Sequence, residues 1–516
     1  MAENKVISAE GFPAIRDEIK KKNKKIVMCH GVFDLLHYGH IEHLREAKSF
    51  GDVLVVSVTS EPYVNKGPDR PYYNDAQRTS FLASIEFVDY VMLSNEQTAL
   101  ANINAVQPDI FVKGQEFKNG TDGVTGQISA EIELVEKLGG TIRYTQGIVY
   151  SSSKLLNNYF SALPDGVLEY SQKLLDKYGK NVFDRITDYV DKFEDLKILV
   201  IGDIIIDEYI FCKPQGLTRK DSTLSTRFQS VEQYLGGSLA LTRHMAELCP
   251  NVELLSMMGS EDDLYDLIES KMPNSVNLHM LRDNGFVTPV KRRYLKKHPQ
   301  RNEYDKLFSV NYLNDKDAIK RIRYEEFHKS LHELVPQFDL VAVCDYGHGL
   351  IDNESIEIIQ NNSRFLSLNC QTNSSNYGTN LITKYTKADS FALDEVEMQL
   401  AFPHHGDNRE DLLTFLREQL GASTGYLTIG AAGAISEDKE GNKVSVPALT
   451  LNVTDTIGAG DAFFSISSLC ASTKVPIDIS TLLSNASASI KACNIGNKNS
   501  VKKKDLLKSI KTILNV

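Results

Sequence analysis

The sequence predicts an α/β chain of two units, each a mainly parallel sheet flanked by helices, the second carrying a small β lid. Three observations carry this reading. Between residues 25 and 160, short apolar runs alternate with helical stretches, the pattern of successive βαβ units. A second alternation opens with Lys197-Ile-Leu-Val-Ile-Gly202-Asp203 and continues toward the C-terminus. A length of 516 residues also exceeds what a single core ordinarily serves.

Residues 1–24 are polar and read as one amphipathic lead-in helix ending in Lys20-Lys-Lys-Asn-Lys-Lys25, a solvated helix end. Strands are expected at 26–29, 53–58, 90–93, 110–112 and 141–144, with helices at 74–85 and 129–138 between them. That makes 25–160 one compact domain. Residues 161–195 hold two stretches of helical period with charged flanks and read as a helical connector. The second domain is placed at 196–516, with buried strands at 197–201, 340–344, 365–368 and 426–429. The stretches 223–234 and 288–313 alternate polar and apolar residues, as half-exposed antiparallel strands do, and form the expected lid.

The segment Gly31-Val-Phe-Asp-Leu-Leu-His37-Tyr-Gly39-His40 follows a strand and opens a helix. Such a turn offers free amides and the positive end of a helix dipole to a phosphate. His37 and His40 share a helix face at this spacing, and Gly39 lets a phosphate approach the backbone. The plainer reading is two satisfied histidines at a helix start. Downstream, Asp455-Thr-Ile-Gly458-Ala459-Gly460-Asp461 precedes an apolar helix. Successive amides there make an anion hole, and a carboxylate at its mouth can take a hydroxyl proton during phosphoryl transfer. The plainer reading is an Asp capping a buried helix.

A net charge of −11 argues against general binding of nucleic acid or anionic membranes. Cys29, Cys212, Cys249, Cys344, Cys370, Cys470 and Cys493 are scattered without C-x-x-C spacing, as reduced thiols are. With no signal peptide and no 18-residue apolar run, a cytoplasmic protein is expected.

Residues 25–160 resemble the cytidylyltransferase-like nucleotidyltransferases, nearest the adenylyltransferase half of the bifunctional heptose-7-phosphate kinase/heptose-1-phosphate adenylyltransferases. The likeness rests on Gly31 to His40, Ala47-Lys48 with Gly51-Asp52, Lys66-Gly-Pro-Asp-Arg-Pro71, Gln77-Arg78, Val88-Asp89 and Val112-Lys113-Gly114. Ser151-Ser152-Ser153 is similar to the family's terminal Ser-Thr-Thr, although Val149 stands where the family has glycine. Residues 197–516 resemble the ribokinase-like sugar kinases through Gly202-Asp203 with Asp207, Gly236-Gly237, Asp345-Tyr346, Glu395, the Asp455–Asp461 motif and Asn485. The order of the two domains is reversed relative to the heptose enzymes. Three positions depart from the kinase pattern. Ala240 replaces an Asn, Asn369-Cys370-Gln371 replaces Asp-Pro-Lys, and Ala392 replaces the Asn of Asn-x-x-Glu.

The resemblance implies a Rossmann-like nucleotidyltransferase followed by a ribokinase-like domain. In the first, a sugar or polyol phosphate attacks the α-phosphorus of ATP or CTP. His37 and His40 bind the phosphate oxygens, Gly31, Phe33 and Gly39 line the nucleotide, and Lys48, Lys66, Arg78 and Lys113 neutralise it with help from the serine triplet. Asp34 is open between a turn residue and a substrate or metal contact. In the second, Asp461 is the base and Gly458, Ala459 and Gly460 hold the phosphoryl group. Thr428, Gly430, Gly433 and Asn485 lie on the nucleotide side, and Asp203, Asp207, Gly236, Gly237 and Asp345 on the acceptor side. Mg²⁺ is held mainly by phosphates, with Glu395 the candidate protein ligand. A homodimer through the lid is expected. The intact motifs point to a bifunctional sugar-activating enzyme. The three departures keep open a chain whose kinase-like domain only dimerises or senses a ligand. A non-catalytic metabolite-binding scaffold is the third reading.

Overall fold

The computed structural model describes residues 5–64, 71–96, 98–114, 125–145, 164, 166–260, 263–297, 304–373, 376–403, 406, 408–450, 453–494 and 496–515. The chain divides into two compact units, one ending at Ala162 and the other running from Leu163 to Leu514. No helix among the described residues is long and apolar enough to cross a membrane.

The first unit is a five-stranded sheet of β1 (Ile26–Gly31), β2 (Val53–Thr59), β3 (Tyr90–Ser94), β4 (Ile110–Lys113) and β5 (Thr141–Tyr144). The order is β3-β2-β1-β4-β5 and every pairing is parallel. The side-chain period of two splits β1 between two apolar layers. Val27 and Cys29 pack with Leu44, Val56 and Leu82 on one face; Ile26 and Met28 pack with Val55, Ile103 and Phe111 on the other. The lead-in forms a helix at Phe12–Lys21 whose Phe12 and Ile19 join the second layer. The strand order reverses between β1 and β4, so the end of β1 opens onto the switch point where such sheets bind ligands.

The second unit contains β6 (Ile198–Gly202), β7 (Ile204–Leu217), β8 (Leu224–Gly237), β9 (Val252–Gly259), β10 (Asn277–Asp283), β11 (Val290–Lys297), β12 (Tyr304–Tyr312), β13 (Leu340–Asp345), β14 (Leu366–Cys370), β15 (Ser390–Asp394), β16 (Thr424–Thr428), β17 (Ala434–Asp438) and β18 (Lys443–Val446). Nine strands form the main sheet in the order β10-β9-β6-β13-β14-β15-β16-β17-β18, parallel as far as β16 and antiparallel beyond it. Four strands form the lid, ordered β12-β11-β7-β8. The lid stretches read from alternation are therefore present, and β7 joins them. Asp207 lies within β7 and not at a strand-end turn, because β7 continues past it for ten residues to Leu217.

The stretch expected to be a connector packs on the second unit. Its helices Val167–Tyr178 and Val182–Asp191 contribute Val167, Leu174, Val182, Ile186 and Val190 to that unit's core. Tyr170 donates to the Asp478 carbonyl at 2.8 Å, and the Tyr178 hydroxyl to the Asp478 carboxylate at 2.9 Å.

Candidate active sites

In the first unit the turn after β1 is built by side chains gripping backbone. His37, extended at φ −138° and ψ 173°, caps the helix Tyr38–Ser49, and its Nδ1 accepts the Gly39 amide at 3.1 Å. A neutral His37 therefore carries its proton on Nε2 and is a donor there. The His37 and His40 rings stack with centroids 4.0 Å apart, and Phe33 meets His40 edge-on at 5.4 Å. Phe33 holds φ +48°, where a side chain is strained. Its ring covers Gly31, where an added Cβ would lie 3.2 Å away.

Arg78 is fully buried. It donates to the carbonyls of Val32 (2.7 Å), Thr59 (2.8 Å) and Tyr73 (3.0 Å) and pairs with Asp75. The guanidinium thus ties the turn to the end of β2 and to the segment before its own helix. Asp34 does the same for amides: its Oδ1 accepts from Tyr72 at 2.7 Å and Tyr73 at 3.0 Å. Lys113 pairs with Glu131 at 2.7 Å with both side chains buried, and Glu131 also accepts the Ala99 amide. Lys48 is not brought to the histidines. It sits in the last turn of the helix that His37 opens, roughly 16 Å along the axis, and binds Asp89 at 2.5 Å and the Asp52 carbonyl at 2.6 Å. Lys66 and Ser151, Ser152 and Ser153 lie outside the described residues.

Two further histidines line this region that motif reading passed over. His30 Nδ1 lies 2.9 Å from the Ser57 hydroxyl and His43 Nδ1 lies 2.8 Å from that of Thr145. Burial, and then the Lys113 charge, push both down to about 4. They are neutral polar walls near neutrality, where His37 and His40 face the turn.

The second site gathers at the strand ends of the nine-stranded sheet. Asp203 is buried between β6 and β7; its Oδ2 accepts the amides of Tyr346 (3.1 Å) and His348 (3.3 Å). Burial, and then the neighbouring Asp345, push Asp203 up to about 7. Asp207 pairs with Arg293 and lies against the backbone of Gly236, where a Cβ would come within 2.5 Å of its Oδ2. Gly237 turns at φ +59° beside the Asp203 carbonyl. Asp345 is held by the Gly347 amide (2.9 Å), the Tyr385 hydroxyl (2.7 Å) and Lys384.

Asp461 sits in the first turn of the buried helix Ala459–Ser472, which Gly458 opens at φ +79°. The Tyr346 hydroxyl donates to its Oδ1 at 2.6 Å, and Gln371 Nε2 to the same oxygen at 3.0 Å. Both bonds fall on one oxygen. Burial raises the carboxyl above the ordinary range, against the pull of these two donors. Gln371 also reaches Asn369 (2.8 Å), whose amide donates to the Ala392 carbonyl (2.8 Å). The departures at 369, 371 and 392 therefore form one chain ending on Asp461. Ala240 is apart from it, buried in the helix Ser238–Ala246.

A cavity of about 200 Å³ lies over Asp461, lined by Gln371, Asp394, Glu397, Thr428 and Gly460 among others. Glu397 accepts the amides of Thr372 and Asp394, both at 3.0 Å, and burial, then Asp394, push it up to about 8. The structure places Glu395 outside this cavity, paired with Arg409. Gly430 (φ +52°) and Gly433 (φ +101°) turn the chain from β16 to β17, and Asn485 ties that region by donating to the Pro447 carbonyl at 2.7 Å. On the lid, Lys291 stands opposite Asp207 in the β11–β7 register, its ammonium 5.9 Å from the Tyr346 ring centre. Glu397 and Lys291 lie in no motif read from the sequence, and Tyr346 and Gln371, read only beside Asp345 and as a departure, reach Asp461 by pairing across the fold.

Comparison with known proteins finds relatives for both units. A cytidylyltransferase-like model matches residues 28–158, and the model of the pfkB family carbohydrate kinases matches residues 195–504, more than half of the chain. The bifunctional protein HldE of a Nitratiruptor species is 41% identical over 133 residues, 25% of this chain and 29% of that one. HldE of Geobacter metallireducens is 38% identical over 140 residues, 27% of each chain. The chain thus spans under a third of the length of these relatives. Among solved structures, phosphofructokinase-2 from Escherichia coli in complex with substrates and products aligns over 61% of this chain and 98% of its own, at 13% identity and a TM-score of 0.48.

Proposed function

From the premise that the chain belongs to the pfkB family of carbohydrate kinases and carries a cytidylyltransferase-like domain ahead of the kinase, we propose that it activates a sugar in two steps. The kinase unit phosphorylates a sugar or sugar phosphate with ATP. The first unit then joins the resulting sugar phosphate to a nucleotide from ATP or CTP and releases pyrophosphate, as in the making of an ADP-heptose-like product. The observation that carries this reading is Asp461, placed at an anion-hole helix start with both of its protein donors on Oδ1. Oδ2 is left to accept the proton of the attacking hydroxyl.

In the kinase step the acceptor oxygen forms its bond to the γ-phosphorus, ADP leaves with the bridging oxygen, and the hydroxyl proton passes to Asp461. The amides of Gly458, Ala459 and Gly460 stabilise the charge on the transferring group. Asp207, shaped by Gly236, orders acceptor hydroxyls. Lys291, opposite Asp207 in the β11–β7 register, adds a cation on that side, which supports an acceptor that itself bears a phosphate. In the nucleotidyl step a sugar-phosphate oxygen attacks the α-phosphorus and pyrophosphate departs, while His37 and His40 donate to the phosphate oxygens. The described residues form no cluster of three metal-ligating side chains. Mg²⁺ in both steps would be held chiefly by the phosphates, and Asp394 and Glu397 are cavity carboxylates that could help to hold it.

A second reading has one observation in its favour. Gln371 stands where the family has Lys, so the cavity lacks that cation. In this reading only the first unit is catalytic and the kinase-like unit dimerises or senses a ligand. Exposed Leu224, Phe228 and Val231 on β8 and Phe308, Val310 and Tyr312 on β12 support a homodimer through the lid in either case. A pyrophosphate-release screen of ATP and CTP against sugar and polyol phosphates, run beside an ADP-release screen of sugars and sugar phosphates, tests both. ADP release that disappears in Asp461→Asn supports the two-step enzyme. Mg-ATP binding without acceptor-stimulated turnover supports the second reading.

A further inference from the structure

Lys491 is absent from the chemistry above, yet it is among the most enclosed cations in the chain. It lies near the end of the helix Ile477–Ala492 and is 1% exposed. Its ammonium donates to the carbonyl of Ile457 at 2.8 Å and to that of Gly496 at 2.7 Å. Burial pushes the group down, while the fields of Asp455, Asp461 and Asp207 favour its charge.

The same two residues are held at their preceding peptides by Asp455, whose Oδ1 accepts the Ile457 amide at 3.0 Å and whose Oδ2 accepts the Gly496 amide at 2.8 Å. A carboxylate thus takes both amides and an ammonium takes both carbonyls. The consequence reaches the anion hole through peptide geometry. In a trans peptide the carbonyl and the amide point in opposite directions. With the Ile457 carbonyl turned onto Lys491, the amide of Gly458 is turned away from it. Gly458 is pressed into this arrangement on its other side as well. A Cβ there would meet Asn497 Oδ1 at 2.1 Å and Lys491 Cε at 3.2 Å.

We propose that Lys491 is a positioning residue for phosphoryl transfer: a monovalent cation built into the chain, which turns the Ile457–Gly458 peptide so that the Gly458 amide faces the phosphoryl group. This role rests on the kinase reading. It predicts that the wild-type unit needs no added small cation to bind nucleotide. It also predicts that a lysine shortened to alanine leaves two carbonyls that an ammonium or potassium ion can occupy.

The test is Mg-ATP affinity of the full-length chain by calorimetry, in tetramethylammonium chloride and again in ammonium or potassium chloride. Wild type should bind equally in all three salts. Lys491→Ala should lose at least about tenfold in affinity in tetramethylammonium chloride, the scale of a lost charge-assisted hydrogen bond. It should regain most of that in ammonium or potassium. A variant that binds as tightly as wild type, or a loss that no small cation restores while the melting curve stays cooperative, would overturn the role. If Lys491→Ala does not fold, Lys491→Met and the wild-type salt series decide. Wild type that itself demands potassium or ammonium has no built-in cation. Wild type that binds Mg-ATP in no salt defeats the kinase reading, a result distinct from the others.

Discussion

The two helix-opening turns at His37 and Gly458 have the same frame and present different groups. In each, a buried cation takes backbone carbonyls: Arg78 those of Val32, Thr59 and Tyr73; Lys491 those of Ile457 and Gly496. In each, a carboxylate takes backbone amides: Asp34 those of Tyr72 and Tyr73; Asp455 those of Ile457 and Gly496. Each of these cations shapes its turn. What differs is the group presented. Among the described residues, the first turn presents two stacked imidazoles, while its Asp34 is turned onto the amides of Tyr72 and Tyr73. The second presents amides and one carboxylate whose donors occupy a single oxygen. In the proposed reactions, proton removal therefore falls to the second turn, and the first would act by electrostatic contact with phosphate oxygens.

The largest effect that would break this comparison is at Asp461. Asp461→Asn should lower acceptor-stimulated ADP release by about 10²–10⁴-fold and leave pyrophosphate release by the first unit unchanged. Loss of both activities would mean that the two turns do not divide the chemistry. Next, His37→Ala or His40→Ala should reduce pyrophosphate release by about 10²–10³-fold without touching ADP release. Wild-type turnover in either variant would remove the histidine pair from the site.

A smaller effect sharpens the contrast through pH. His30 and His43 are held down near 4, so the unfolded chain gains protons below about 6.5 that the folded first unit refuses until about 4. That unit should lose stability as pH falls through this window. Asp203 and Glu397 are held up near 7 and 8, so the folded second unit keeps protons that the unfolded chain has released. His244 and His348, held down to about 3, give the opposite slope below about 6.5, so the unit should lose stability as pH rises from about 6.5 through about 8. Calorimetry between about pH 5.5 and 8.5 should show one transition falling on the alkaline side, with the fall lessened by Asp203→Asn. Transitions that move in parallel would contradict the assignment. The smallest effect is at Lys48. Lys48→Met should cost no more than about 1 kcal/mol in the denaturation of the first unit and leave nucleotide affinity unchanged. A large rise in KM for the nucleotide would return Lys48 to the site.

Much of the architecture is legible in the sequence because it is encoded locally. Short apolar runs mark the strands of the first sheet, and a change to polar–apolar alternation marks the lid. The helix-opening turns at His37 and Gly458 can be located because backbone geometry near a phosphate demands glycine and a helix start within a few residues. The roles of individual charges are not legible, for a physical reason. A lysine or arginine in a motif has a long side chain, and its partner is set by what the fold brings within reach. Arg78 reads as a phosphate contact but closes on three carbonyls; Lys48 sits at the far end of its helix; Glu395 pairs with Arg409 while Glu397, two residues on, faces the cavity. Likewise Tyr346 and Gln371 meet on Asp461 from positions 115 and 90 residues before it. Sequence spacing carries the positions of turns and strands, which depend on near neighbours along the chain. Long-range packing assigns each buried charge its partner, since burial makes that partner obligatory and only the folded chain supplies it.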